Sequence, residues 1–426
     1  MASHGPRHRR LRIVLGVVVG CVVVAIAAVV IALVVIVEDS KVDVGPASAF
    51  YAAPDPLPQG PPGTILRSEV VAVPQVIGAP AGTRATRILY LSQASHDSKP
   101  VAVSAVIYQP PGLAPPSGRP VLAWAHGTQG VASNCAPSLV SAPSKITVPG
   151  FGAFLKRGWV VAATDYPGLG TAGPNAYLDG TISGRAVLDS VRAAQVLPGT
   201  GAGSKTVIWG HSQGGQAALF AGSLAPSYAP GLDLLGVAVA APAVELSKLL
   251  QLDANTLSGL ALASYVLWSW PRTQPGISTE GVIKPGSEKL IDAIAARCLR
   301  GLGSLVEEFA LAGVEKVTGT ISVAALLASP AWTAVLRANT PAADSSGPPL
   351  LIAQGTADTI IRPETTYDYV LRLCDAGRSV KELRMEGIDH PNAGVAAAPA
   401  VLEWATQRLA GAPTPSDCIR TMGAAK

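Results

Sequence analysis

The chain has 426 residues, room for one large domain with an insertion or for two domains, and with 49% apolar and only 14% charged residues it can bury a large core. Its formal net charge of +4 is carried by Arg7, Arg9, Arg10 and Arg12, so the rest of the chain is neutral. That argues against a nucleic-acid partner, which needs a basic face. There is no internal repeat and no pattern calling for a cofactor.

Residues 1–12 are basic, and the 25 residues Ile13–Val37 that follow contain no charge. At about 1.5 Å per residue this run spans a bilayer with some tilt. The basic flank lies on its N-terminal side, so the expectation is a signal anchor, a transmembrane helix over 13–37 with residues 1–12 cytoplasmic and the rest outside. A cleaved signal peptide is the rival. Its apolar core would be shorter, about 7–15 residues, and Ala47-Ser48-Ala49 lies well beyond the run. Residues 38–64 carry Pro46, Pro54, Pro56, Pro58, Pro61 and Pro62 and read as a stalk or a surface-wrapping arm.

From Ile65 the pattern alternates. Strands are predicted at Glu69–Val76, Thr86–Leu91, Val101–Gln109, Pro120–Ala125, Trp159–Thr164, Lys205–Trp209 and Leu234–Ala241, with helices at Phe151–Arg157, Ile182–Leu197 and Gly214–Tyr228. Continuous apolar strands alternating with helices predict a mostly parallel α/β sheet covered on both faces, with function at the C-terminal strand ends. The rhythm then breaks. Residues 244–341 hold only helical patterns, at Leu246–Leu250, Leu257–Trp270, Ser287–Arg300, Leu305–Val317, Ile321–Leu327 and Ala331–Ala338. They read as a helical cap inserted between core parts 65–243 and 342–426. Leu262, Val266 and Leu267 are candidates to line an acyl channel. The sheet resumes at Pro349–Gln354, and Ser379–Met385 is the last strand, with helices at Pro363–Ala376 and Val395–Leu409.

The chemistry is concentrated in Gly210-His211-Ser212-Gln213-Gly214, a G-x-S-x-G between a buried strand and a helix start. A serine that attacks a carbonyl must stand clear of the backbone on a tight turn, and glycines on either side remove colliding side chains. The helix that follows points N–H groups at developing negative charge. A serine also needs a base held by a third group, and in the α/β-hydrolases that this G-x-S-x-G resembles the chain order is Ser, then acid, then His. Of the six histidines only His390 follows the serine, in the loop after the last strand. Asp358 is the acid that stands directly after a strand, whereas Asp389 is too close in sequence to orient the His390 ring. Two N–H donors are needed for the tetrahedral intermediate. The Gln213 backbone supplies one, and Thr128 in the loop His126-Gly127-Thr128-Gln129 is the candidate for the second, able to give both its backbone N–H and its hydroxyl.

Five cysteines are present. Cys21 lies in the apolar run. Cys135, Cys298, Cys374 and Cys418 form an even set in the part placed outside the cytoplasm, which predicts two disulfides with three possible pairings. None lies at C-x-x-C spacing, so no metal site is expected.

With these residues the chain resembles the secretory lipase family of α/β-hydrolases, of the lipase A type with many actinobacterial members. The resemblance runs from about Phe50 to Cys418. It is carried by Phe50-Tyr51, Leu57-Pro58, Pro62-Gly63, His126-Gly127-Thr128, Cys135-Ala136-Pro137-Ser138, Gly210-His211-Ser212-Gln213-Gly214, Tyr228-Ala229-Pro230 and Gly355-Thr356-Ala357-Asp358 with His390. It implies an α/β-hydrolase fold, hydrolysis of carboxylic esters, often lipid esters, a cap that shapes the acyl site, and the pairs Cys135–Cys298 and Cys374–Cys418. Members are commonly released, which makes secretion after cleavage the alternative to membrane anchoring here. Competing functions on the same fold are an acyltransferase acting on cell-envelope lipids, a serine peptidase and a non-enzymatic envelope protein. No propeller domain or acidic amine-holding site speaks for the peptidase, and an intact Ser212, Asp358 and His390 speak against the relic.

Overall fold

The computed structural model describes residues 42–73, 78–94, 99–139, 148–254, 256–299 and 319–418. The expected membrane helix 13–37 and the expected helix 305–317 lie outside these residues. Among those described, no helix is long and apolar enough to cross a membrane.

Nine strands form one sheet: β1 (Ile65–Val71), β2 (Arg84–Gln93), β3 (Pro100–Gln109), β4 (Arg119–Ala125), β5 (Val160–Thr164), β6 (Ala202–His211), β7 (Asp233–Ala240), β8 (Leu350–Gly355) and β9 (Val380–Met385). Their spatial order is β1-β2-β3-β5-β4-β6-β7-β8-β9. The pairings from β1 through β3 to β5 are antiparallel, and β5, β4, β6, β7, β8 and β9 run parallel. The antiparallel β2–β3 pair follows from its short connection. Only a few residues separate β2 from β3, too few for the crossover that a parallel pair requires.

Alternation along β6 shows why both faces are covered. Val207 and Trp209 enter one core layer and Ile208 the other, all without exposed surface. The first layer includes residues of α1 (Phe151–Lys156) and α10 (His390–Leu409). The second is covered by α2 (Gly180–Val196), α3 (Gln213–Tyr228) and α9 (Pro363–Asp375). Register places the site. Ala125 pairs with Gly210, and His211 with Ala240. The loop after β4 therefore leaves the sheet beside the turn after β6.

Residues 244–341 fold, where described, as α4 (Leu246–Asp253), α5 (Leu257–Thr273), α6 (Glu288–Ala295), α7 (Val323–Ala328) and α8 (Pro330–Ala338), with a single antiparallel bridge between Ile283 and Ile321. Thr256 starts α5 by accepting the Gly259 N–H at 3.0 Å. The proline-rich stretch wraps the core over its described part. Ser133 N–H donates to Asp43 C=O, Ala47 N–H to Gly170 C=O and Gly173 N–H to Val44 C=O, at 2.8–2.9 Å, while Tyr51 is fully buried. The segment 42–64 thus lies against the core. Backbone hydrogen bonds and one buried aromatic hold it down.

Two disulfides close the chain, Cys135–Cys298 and Cys374–Cys418, the pairing that the resemblance implied. Beside the first, Leu299 N–H donates to Gln129 C=O at 2.7 Å, joining the loop after β4 to the helical segment. The pair spans 163 residues, for which loop-closure entropy alone gives about 5 kcal/mol. Replacing both Cys135 and Cys298 by Ser is expected to move the denaturant midpoint sharply down. An unchanged midpoint would mean that the crosslink contributes nothing to stability.

Candidate active site

The turn between β6 and α3 sets the site. Ser212 has φ 58° and ψ −123°, a left-handed conformation that costs a non-glycine residue of order 1–3 kcal/mol. It occupies the N-cap position, where a serine ordinarily accepts an N–H of its own helix. Here it makes no such bond, because the strained turn swings Oγ away. The glycines on either side make the turn possible. A Cβ on Gly214 would lie 1.9 Å from the Ala125 carbonyl oxygen, and one on Gly210 would lie 2.1 Å from the Gly214 carbonyl oxygen.

Oγ of Ser212 lies 2.9 Å from Nε2 of His390. On the far side of the ring, Nδ1 lies 2.8 Å from Oδ2 of Asp358. Asp358 follows β8 in a tight turn. Its Oδ1 accepts the N–H groups of Ile360 and Ile361 at 2.9 and 2.8 Å, and its Oδ2 also accepts from Gln354 Nε2 at 3.1 Å. One carboxylate thus caps the turn with one oxygen and holds the imidazole with the other. Burial pushes the Asp358 carboxyl up. The His390 ring and the two backbone N–H groups outweigh burial and hold it below the usual carboxylate range. It is therefore an acceptor from Nδ1–H, which leaves Nε2 free to accept from the Ser212 hydroxyl.

His390 is not in a loop, as the sequence pattern predicted, but is the first residue of α10. Asp389 caps that helix by accepting the Asn392 N–H at 3.2 Å, and proline occupies its first turn. The Asp-His-Pro sequence starts the helix five residues earlier than its apolar periodicity indicates. Asp389 is thereby committed to the backbone and not to the ring.

The loop after β4 passes over the serine. A Cβ on Gly127 would stand 3.5 Å from the Ser212 Cβ. Thr128 Oγ1 lies 2.9 Å from the Tyr177 hydroxyl. Gln213 is the first residue of α3, so its N–H has no intrahelical acceptor. Thr128, Ser212 and Gln213 share the wall of a pocket of about 820 Å³, including its open mouth, whose other walls are mainly Leu, Ile, Val and Ala from residues 243–361. Leu262, Val266 and Trp270, four residues apart on α5, present one helix face to it. Among the described residues no cluster of His, Cys, Asp or Glu is placed to hold a metal ion.

A profile of the family described as secretory lipase matches residues 148–417. The chain belongs to the secretory lipase family. It is a carboxylic ester hydrolase. Among curated relatives it is similar to Lipase 6 of Candida albicans, at 27% identity over 87% of this chain and 83% of the relative. It is also similar to a probable inactive lipase of Mycobacterium tuberculosis, at 26% identity over 87% of this chain and 84% of the relative. Its fold is that of Candida antarctica lipase A, with a TM-score of 0.70 at 21% identity over 87% of both chains. The rice cell wall degrading esterase LipA of Xanthomonas oryzae superposes with a TM-score of 0.65 at 17% identity, over 83% of this chain and 100% of that one. The sheet of this secretory lipase is accordingly of the α/β-hydrolase kind.

Two parts of this candidate site differ from what the sequence indicates. Leu267 does not reach the pocket, since it lies one position past Val266 and turns about 100° away into the core. His211 has a role that its position does not announce. Its Nε2 lies 3.0 Å from the backbone carbonyl of His390, and the two rings sit 4.8 Å apart. Burial, with His390 beside it, pushes its pKa down to about 3. His211 is thus a neutral donor that ties the N-terminus of α10 to the serine turn.

Proposed function

We propose that this secretory lipase hydrolyses lipid esters through an acyl-enzyme on Ser212. In this reading His390 is the base, Asp358 is its orienting acid, and the Gln213 N–H and Thr128 stabilise the oxyanion. The continuous contact from Ser212 Oγ through His390 to Asp358, opening on an apolar pocket, carries it. Oγ attacks the ester carbonyl as Nε2 takes the hydroxyl proton, and the carbonyl electron pair moves onto oxygen. The tetrahedral intermediate collapses, and the alcohol leaves with the proton from Nε2. Water then repeats the sequence and releases the carboxylic acid. Asp358 accepts from Nδ1–H throughout, fixing the tautomer and stabilising the imidazolium.

In the same reading residues 244–341 are the cap, and core parts 65–243 and 342–426 carry the chemistry. Residues 13–37 anchor the chain with its catalytic part outside the cytoplasm, or are removed on secretion. Two disulfides fit either placement. The probable inactivity named for one relative makes an assay of this chain decisive. Labelling of Ser212 by a p-nitrophenyl alkylphosphonate, read by peptide mass, tests the nucleophile directly, and an unlabelled Ser212 would overturn the reading.

The pocket supports a lipid acyl chain, because its walls offer area and few polar partners. Leu262→Phe is expected to shift the chain-length profile of p-nitrophenyl esters by roughly 10–200-fold against long chains, the range for one methylene gained or lost in an apolar pocket. Acetate turnover should stay near wild type. An equal fall at every length, acetate included, would make Leu262 a support of the core and not a wall of the acyl site.

A further inference from the structure

Tyr177 is a buried tyrosine that the reaction as described does not use. It is 1% exposed, and its hydroxyl meets Thr128 Oγ1 at 2.9 Å on the pocket wall shared with Ser212. Its backbone is clamped by α5. The Tyr177 N–H donates to Ser269 Oγ at 3.0 Å, and its C=O accepts from Trp270 Nε1 at 2.8 Å. Ser269 Oγ in turn donates to Asn175 C=O at 2.6 Å. The ring packs edge-on against Tyr265 at 5.6 Å. The hydroxyl therefore has a fixed place.

Which oxygen donates decides what Thr128 can do. A phenol is more acidic than an aliphatic hydroxyl, so it is the better donor of the two. Burial also raises the Tyr177 pKa, so the phenol keeps its proton. If Tyr177 donates, the Thr128 proton is free to point elsewhere. Thr128 Oγ1 has no other hydrogen-bond partner among the described residues. In the tetrahedral intermediate the neighbouring oxyanion needs donors, and a donor already aimed at it costs no reorganisation. A chain of two hydrogen bonds also polarises its members in the same direction.

We propose that Tyr177 is a positioning residue of the oxyanion hole: its O–H donates to Thr128 Oγ1 and so turns the Thr128 hydroxyl proton toward the carbonyl oxygen of the bound ester. No proton leaves Tyr177. The proposal rests on the reading of Ser212 as nucleophile and of Thr128 as a donor.

The test is a double-mutant cycle of Thr128→Ala and Tyr177→Phe, with kcat and KM for p-nitrophenyl acetate and butyrate. Thr128→Ala is expected to lower kcat by about 10²-fold, the loss typical of one oxyanion donor. Tyr177→Phe should lower it by roughly tenfold with KM within about twofold, as for an interaction made only in the transition state. Tyr177→Phe should cost nothing further in the Thr128→Ala protein. Thr128→Ser, which keeps the hydroxyl, should stay near wild type and regain the dependence on Tyr177. Wild-type kcat in either single variant, or an equal Tyr177→Phe loss with and without the Thr128 hydroxyl, would overturn the proposal. Phosphonate labelling separates the two levels. Labelled Ser212 with an additive cycle removes the relay alone, whereas unlabelled Ser212 in the wild-type protein removes the relay and the nucleophile together.

Discussion

Ser212→Ala is expected to lower kcat for ester hydrolysis by on the order of 10⁶-fold, the scale seen when a nucleophile or its base is removed. The fold should be untouched. Alanine keeps the Cβ that already tolerates φ 58°, and Ser212 Oγ makes no cap bond for α3 to lose. His390→Ala should cost the same factor, and the double variant no more, because the groups act as one unit. The two single variants should differ in stability. Removing the His390 ring takes a donor from Asp358 Oδ2, whose side chain has no exposed surface. That loss is worth about 1–3 kcal/mol for a buried acceptor left short of a partner. Kinetics and melting together therefore separate the roles. Near wild-type turnover in His390→Ala would remove it as the base, and a melting loss in Ser212→Ala would mean that the hydroxyl also supports the turn.

How far the sequence carries can be followed at single residues. The turn at Ser212 was legible because its causes are local. Two glycines and a strand-to-helix switch within a few residues leave few alternatives for the backbone. Asp358 and His390 could be singled out because the Ser, acid, His order of α/β-hydrolases leaves one histidine and points to a carboxylate after a strand. Helix ends were less legible. α10 begins at His390 through Asp389 and a proline, a capping signal that apolar periodicity starting at Val395 does not contain. The edge strands were legible as strands, but their antiparallel pairing depends on connection length and register.

What stayed hidden depends on contacts between distant segments. His211 reaches the His390 carbonyl across 179 positions, and Thr128 meets Tyr177 across 49. Neither residue sits in a pattern that names its partner. The fate of residues 42–64 was equally non-local. A proline-rich stretch is compatible with standing free or lying flat, and docking is decided by Tyr51, whose hydroxyl meets Ser138 Oγ at 2.7 Å in the core. Cys135 illustrates the intermediate case. Its oxidation was legible from compartment and count, whereas its partner Cys298 came only through family resemblance.

Asp358→Asn is expected to lower kcat by on the order of 10⁴-fold, the loss that accompanies a wrongly held tautomer, and the surroundings show which way the amide must face. Oδ1 receives two backbone N–H groups, from Ile360 and Ile361. Placing the amide NH₂ there would set donor against two donors and break the turn, so the NH₂ takes the Oδ2 position. It then faces Nδ1 of His390 and Nε2 of Gln354. His390 can satisfy it only by accepting at Nδ1, which moves its proton to Nε2 and leaves no base for the Ser212 hydroxyl. Gln354 Nε2 retains the carbonyls of Ile361 and Gly355 as acceptors, at 3.1 and 3.2 Å, so that side of the turn survives. The variant should therefore fold, keep Ser212 in place and lose turnover through tautomer alone. A pH profile checks the cause. Activity should rise again at high pH, where hydroxide can take the Ser212 proton in place of the ring, while Ser212→Ala shows no such recovery. A flat profile, or an equal loss in Glu364→Gln, would move the orienting acid away from Asp358.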